Sequence, residues 1–125
     1  MAFVIGKDKY GHSIILWRVK LMDPKTTTEE RIQKFLFYTL NTALTQTAVG
    51  VDKYTIIADF DGAGIKNFNM KQVNKMIPIV RDCYAERLAK LYAINTSFAL
   101  RAIWGTIKIF LDKETIDKVL LNEKE

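Results

Sequence analysis

A single cysteine, Cys83, leaves the chain without an internal disulfide, which suits a reducing compartment. On an amphipathic helix such a thiol reads as a small core residue. The only histidine is His12, and no base stands at short sequence range to activate Cys83 as a nucleophile. No apolar run reaches the roughly 20 residues a membrane span needs. The greasiest block, residues 98–111, is too short and is interrupted by Arg101 and Lys108. The opening Met1-Ala2-Phe3-Val4-Ile5-Gly6 is too short for a signal peptide and has no basic start, so a cytoplasmic chain is expected. Also missing are G-x-x-x-x-G-K-S/T, G-x-G-x-x-G and G-x-S-x-G, which removes the support for nucleotide binding and for serine-hydrolase chemistry.

Charge of one sign is not concentrated either. The net charge of +5 divides as +3 over residues 1–28, −2 over 29–62 and +4 over 63–125, with Lys and Arg spread singly. Nucleic-acid readers show a clustered basic stripe or a reader motif, and neither is present, so no nucleic-acid partner is expected. A mild positive excess is compatible with transient attraction to an anionic membrane surface. What remains is an ordinary globular composition, 49% apolar and 26% charged, in 125 residues that form one domain without repeats or linker.

The pattern alternates strand and helix. Asp8-Lys9-Tyr10-Gly11 is a turn into the β-branched and aromatic run Ser13–Val19, and Phe3-Val4-Ile5 is a short edge strand before it. Thr27 stands three residues before Glu30, a capping-box spacing that predicts a helix start, and Ile32, Phe35, Leu36, Leu40, Ala43 and Leu44 follow the 3.6-residue period. Tyr54–Phe60 is a second strand, apolar enough to be buried. A helix is predicted from about Asn69 to Tyr84, with Met70, Val73, Ile77, Val80 and Tyr84 on one stripe and a break or kink at Pro78. Leu91–Asn95 is a third strand, 98–111 a helix, Asp112 the N-cap of a short last helix, and Val119-Leu120-Leu121 the start of a fourth strand. This alternation implies an α/β fold with right-handed crossovers and a mainly parallel sheet.

Three features carry candidate chemistry. The helix at 98–111 has ten apolar residues in fourteen, more than covering one sheet face requires. It reads either as packing, against the sheet and a further element or a partner subunit, or as a wall contacting an apolar ligand. Around it stand Glu86, Thr115 and Lys118. A carboxylate accepts hydrogen bonds from sugar hydroxyls, while a hydroxyl and an ammonium at i, i+3 share a helix face and can approach one phosphate oxygen. Singly, Glu86 and Lys118 are ordinary surface residues. Third, Asp59-Phe60-Asp61-Gly62 ends a buried strand. Two acids there could bind Mg²⁺, but Asp-Gly after a strand is also what a tight turn needs, and the turn is the better reading. His12, beside the turn glycine, is expected to be exposed. No nucleophile–base pair is visible, so the chain is not expected to be an enzyme, and no cofactor and no metal are expected.

The pieces Asp8-Lys9-Tyr10-Gly11-His12-Ser13-Ile14, Ile57-Ala58-Asp59-Phe60-Asp61-Gly62, Tyr84-Ala85-Glu86-Arg87-Leu88, Ile94-Asn95 and Phe110-Leu111-Asp112-(x)2-Thr115-(x)2-Lys118 together resemble the CRAL-TRIO family, over essentially the whole chain. That family includes phosphatidylinositol/phosphatidylcholine transfer proteins. The resemblance implies residues 1–125 as a single CRAL-TRIO-like lipid-binding domain: a mainly parallel sheet flooring an apolar pocket, closed by a mobile helical gate. It implies a phospholipid or other lipophilic ligand, with phosphatidylinositol the best guess, and a location peripheral to membranes. Lys118 and Thr115 would face the phosphate and Glu86 the inositol hydroxyls. Phe98, Ile103, Ile107, Phe110 and Leu111 would meet the lipid chains or form the gate, which spans about 107–116. Ala85 replaces the family's usual proline, and Thr96-Ser97 its alanine-proline. The domain is expected to be abbreviated, without the family's N-terminal helical region and its last strand and helices. An alternative use of the same fold is protein interaction or homodimerisation through an exposed sheet edge and the greasy helix.

Overall fold

The computed structural model describes residues 2–23, 25–67 and 70–123. Asp8 organises its first turn. Asp8 Oδ1 accepts from the backbone N–H of Tyr10 (2.9 Å) and of His12 (3.0 Å), closing the hairpin between β1 (Ala2–Lys7) and β2 (Ser13–Arg18). Its Oδ2 lies 2.9 Å from His12 Nδ1 and accepts from Thr55 Oγ1 at 3.3 Å. His12 is therefore partly buried and held by Asp8, not exposed as the sequence suggested. Gly11 is required twice over: its φ is +85°, and a Cβ there would stand 2.7 Å from Ala48 Cβ.

Helix α1 (Glu29–Thr45) begins one residue later than the capping-box spacing implied. Thr28 is the N-cap, its hydroxyl accepting from Arg31 N at 3.3 Å, and Glu29 and Glu30 lie in the first turn, where the helix dipole favours them. Ile32, Leu40 and Ala43 are buried on one stripe as expected, whereas Phe35 is 41% exposed. β3 (Tyr54–Asp59) follows, then α2 (Met70–Ile79). Pro78 cannot donate a backbone hydrogen bond, and the helix widens after Ile79 into a π-helical stretch, Val80–Tyr84. The side chains of Met70, Val73, Val80 and Cys83, on which the expected α2 stripe and the buried thiol depend, lie outside the described residues. β4 (Leu88–Thr96) starts three residues earlier than expected, because Leu88 joins the core. α3 (Phe98–Ile107) ends sooner than the apolar block and passes into a 3₁₀ turn, Lys108–Phe110. α4 (Lys113–Asp117) is capped by Asp112, and β5 (Val119–Glu123) closes the sheet.

The spatial order is β1-β2-β3-β4-β5, with β1 antiparallel to β2 and the other neighbours parallel. Helix α1 packs on one face of this sheet. There Ile15, Tyr54 and Leu88 of the sheet pack with Leu40 and Ala43 of α1 and with Tyr84, and Val4, Ile56 and Leu91 add to the cluster. Ser13 Oγ ties β2 to α1 by donating to the Ala43 carbonyl at 2.6 Å. Tyr54 Oη donates to the Tyr84 carbonyl at 3.3 Å, and burial pushes the Tyr54 phenol well above its ordinary pKa. Each fully buried aliphatic side chain in such a cluster contributes about 1.5–3 kcal/mol.

Candidate functional site

Because side chains alternate along a strand, the residues beside those core positions face the other way. On that opposite face the register links Phe3 to Leu16, Leu16 to Ile57, Ile57 to Tyr92 and Tyr92 to Leu120, an apolar row crossing all five strands. The row is not sealed. Phe3 is 46%, Tyr92 37% and Leu120 43% exposed, and Leu16 and Ile57 are half-buried. Toward the amino ends of the parallel strands the next row is Ile14, Thr55 and Lys90. This face was not singled out from the sequence. Its signal was there in the nearly continuous apolar runs of β2 and β3, which fit strands with something apolar to meet on both sides.

Thr115 and Lys118 come together at α4. The Thr115 N–H donates to Asp112 Oδ1 at 2.7 Å, and the residue is buried. Hydrogen bonds from the Thr115 backbone and then from its side chain hold the Asp112 carboxyl below the usual carboxylate range, with Lys118 and Arg81 adding positive charge. The Lys118 side chain is only 14% exposed, and its Nζ stands 3.8 Å from the exposed Glu114 carboxylate. The Lys118 carbonyl accepts from Leu91 N at 2.8 Å, which fixes the amino end of β5 against β4. Glu86 lies in the 3₁₀ turn Ala85–Arg87 just before β4 and is exposed. Thr115 and Lys118 are neighbours, and Glu86 lies at the same end of the sheet, just before β4. Arg81, whose charge reaches Asp112, was not anticipated from the sequence.

The residues read as apolar walls are mostly unburied. Of α3, only Leu100 is buried, while Phe98 is 89% exposed. Ile103, Ile107 and Leu111 are half-buried, and Ile109 and Phe110 are 72% and 53% exposed. Ser97 caps the helix by accepting from Leu100 N at 3.3 Å, and Arg101 Nε donates to Thr96 Oγ1 at 3.5 Å. Among the described residues no helix is long and apolar enough to cross a membrane.

The opposite end of the sheet supports the turn reading of Asp59. Its Oδ1 accepts from Asn95 Nδ2 and from Asp61 N, both at 3.0 Å, which fastens β3 to β4 and closes the turn. The Asn95 hydrogen bond, then that of Asp61, holds the Asp59 carboxyl below its ordinary value against partial burial, helped by Lys20 and Arg18. Asn95 sits at φ +56°, in the left-handed region that asparagine tolerates. No cluster of three or more metal-ligating side chains occurs among the described residues. Two surface concavities, of about 360 and 280 Å³, lie along β1 and α1 at the far edge from Lys118, and Phe3, the outer member of the apolar row, borders the second.

Two Arabidopsis thaliana proteins named phosphatidylinositol/phosphatidylcholine transfer proteins, SFH12 and SFH14, are 29% and 31% identical over 91% and 94% of this chain. The chain spans 24% and 23% of their lengths, about a quarter of each. The crystal structure of Sfh5 superposes with a TM-score of 0.75 at 18% identity, over 94% of this chain and 47% of that one, which establishes the shared α/β fold. The CRAL/TRIO domain matches residues 1–125, and the chain belongs to the CRAL-TRIO family.

Proposed function

We propose that this chain is a non-catalytic lipid-binding module that holds a phospholipid, with phosphatidylinositol as its ligand. The observation that carries the reading is the half-exposed apolar row Phe3–Leu16–Ile57–Tyr92–Leu120 on the sheet face away from the α1 core. An apolar sheet face open to water is costly, and acyl chains laid across it remove that cost. Polar groups lie toward the amino ends of the same strands, where the headgroup of a lipid so placed would fall. The names of the Arabidopsis relatives support the same ligand class.

In this reading Lys118 meets the phosphate, as a cation largely withdrawn from water whose partner Glu114 is exposed at 3.8 Å. Thr115 contributes its hydroxyl by turning it from Asp112 to the phosphate, which makes it the weaker of the two contacts. Glu86, at the same end of the sheet, accepts from inositol hydroxyls. α3 and the turn after it, residues 107–116, form the gate. The exposed Phe98, Ile109 and Phe110 enter a bilayer surface transiently, so that lipid exchanges without crossing water.

The test is phosphatidylinositol uptake from mixed vesicles by the parent, Glu86→Ala and Lys118→Ala. Each substitution is expected to weaken uptake about tenfold, the scale of one charged hydrogen bond, with the melting transition kept. Uptake by both variants equal to the parent's would show the headgroup assignment to be wrong.

A further inference from the structure

Lys90 is out of place on an apolar surface. It lies in β4, exposed, two residues from Tyr92 on the same face, and its register partner is Thr55. Among the described residues no ion pair or side-chain hydrogen bond engages its ammonium. The acid bonded to its register partner Thr55, the Asp8 carboxylate, is already held by His12 and by two backbone N–H groups. A lipid laid over the row beside it would withdraw this ammonium from water with no counter-charge, which is strongly unfavourable unless the lipid brings an anion.

The residue between α4 and β5, Lys118, adds a second cation. Leu91 N donates to the Lys118 carbonyl at 2.8 Å, which holds the Lys118 backbone against β4 next to Lys90. Two ammonium groups on neighbouring segments repel where they approach, and an anion between them turns the repulsion into two attractions. The same sheet face thus changes from apolar at Leu16, Ile57, Tyr92 and Leu120 to cationic at Lys90. That order matches acyl chains followed by a phosphate.

We propose that Lys90 is a second contact to the lipid phosphate, acting beside Lys118, and that it restricts the site to phosphate-bearing lipids. This rests on the lipid-binding reading above and adds to it a residue and a selectivity. Lys90 discriminates against lipids with the same tails and no phosphate, because only a phosphate compensates its desolvation.

The experiment measures uptake from phosphatidylcholine vesicles doped with phosphatidylinositol or with diacylglycerol, for the parent, Lys90→Gln and Lys90→Arg. Lys90→Gln is expected to take up phosphatidylinositol about tenfold less well. It should take up diacylglycerol at least as well as the parent, and Lys90→Arg should retain phosphatidylinositol. Equal loss of both lipids in Lys90→Gln would mean a structural role, and unchanged phosphatidylinositol uptake would mean no contact; either overturns the proposal. Glycerophosphoinositol, the headgroup without tails, separates a lipid phosphate from a free one. Weak competition supports the lipid, and full-strength binding of the soluble headgroup overturns it. A parent that takes up neither lipid overturns the lipid-binding reading itself and this inference with it, whereas a parent that binds lipid while Lys90→Gln matches it leaves that reading standing.

Discussion

Ile56 and Ile57 are adjacent in β3, and the account assigns them opposite duties. Ile56 packs against the core cluster under α1, and Ile57 is the centre of the apolar row on the other face. Truncation to alanine removes three carbons from either, about 2.4 kcal/mol of transfer free energy if fully buried. Ile56 is also only partly buried, so Ile56→Ala is expected to cost the fold about 1–2 kcal/mol, including the gap it leaves among packed neighbours, and to leave lipid affinity unchanged. Ile57 is only half-buried in the free protein, so its truncation should cost about 1.2 kcal/mol of stability. The remaining half of its surface is covered only by ligand, so Ile57→Ala should lose a further 1.2 kcal/mol or so in lipid affinity, about eightfold. Urea denaturation gives the stabilities, and displacement of a fluorescent phospholipid gives the affinities. If Ile57→Ala leaves lipid affinity unchanged, or Ile56→Ala lowers it as much, the second face is not the lipid surface and the reasoning fails.

Gly11→Ala should destabilise by well over 1 kcal/mol, because it combines a left-handed φ with a contact 2.7 Å from Ala48 Cβ; a melt equal to the parent's would show that the β1–β2 turn is free to shift. Asp8, Asp59 and Asp112 all have pKa values below their ordinary one. At Asp8 partial burial pushes upward, but the hydrogen bonds from His12 and Tyr10 outweigh it; at Asp59 the Asn95 hydrogen bond leads, and at Asp112 that of Thr115 N. A depressed carboxyl binds its proton more weakly folded than unfolded. Its stabilisation is therefore complete above the unfolded value and is lost as pH falls through the folded one. Stability measured from neutral pH downward should hold to about pH 4 and decline below it. A decline that began near neutral pH would contradict this.

Much of the architecture was legible because it rests on local chemistry. The Asp8–Gly11 turn, the apolar period of α1, the break at Pro78 and the Asp112 cap each arise from residues close in sequence. Boundaries moved where tertiary packing decided them. Leu88 extends β4 because it reaches the core, and Thr28 rather than Thr27 caps α1. His12 was misplaced because its partner Asp8 and that partner's tie to Thr55, forty-seven residues on, form only in the fold. Of the site, the pairing of Thr115 with Lys118 follows from helical spacing. The apolar row and Lys90 do not, since alternation within one strand says which residues share a face but not which residues of other strands continue it. Only the register of five strands assembles Phe3, Leu16, Ile57, Tyr92 and Leu120, drawn from across the chain.

The account's central claim is that this sheet face is a lipid surface. Native mass spectrometry of the protein after incubation with vesicles of phosphatidylcholine and phosphatidylinositol tests it most directly. The account predicts a protein ion heavier by one phospholipid, identified as phosphatidylinositol on dissociation. A lipid-free monomer would contradict the account, and a lipid-free dimer would contradict it in favour of a face that pairs with its own copy.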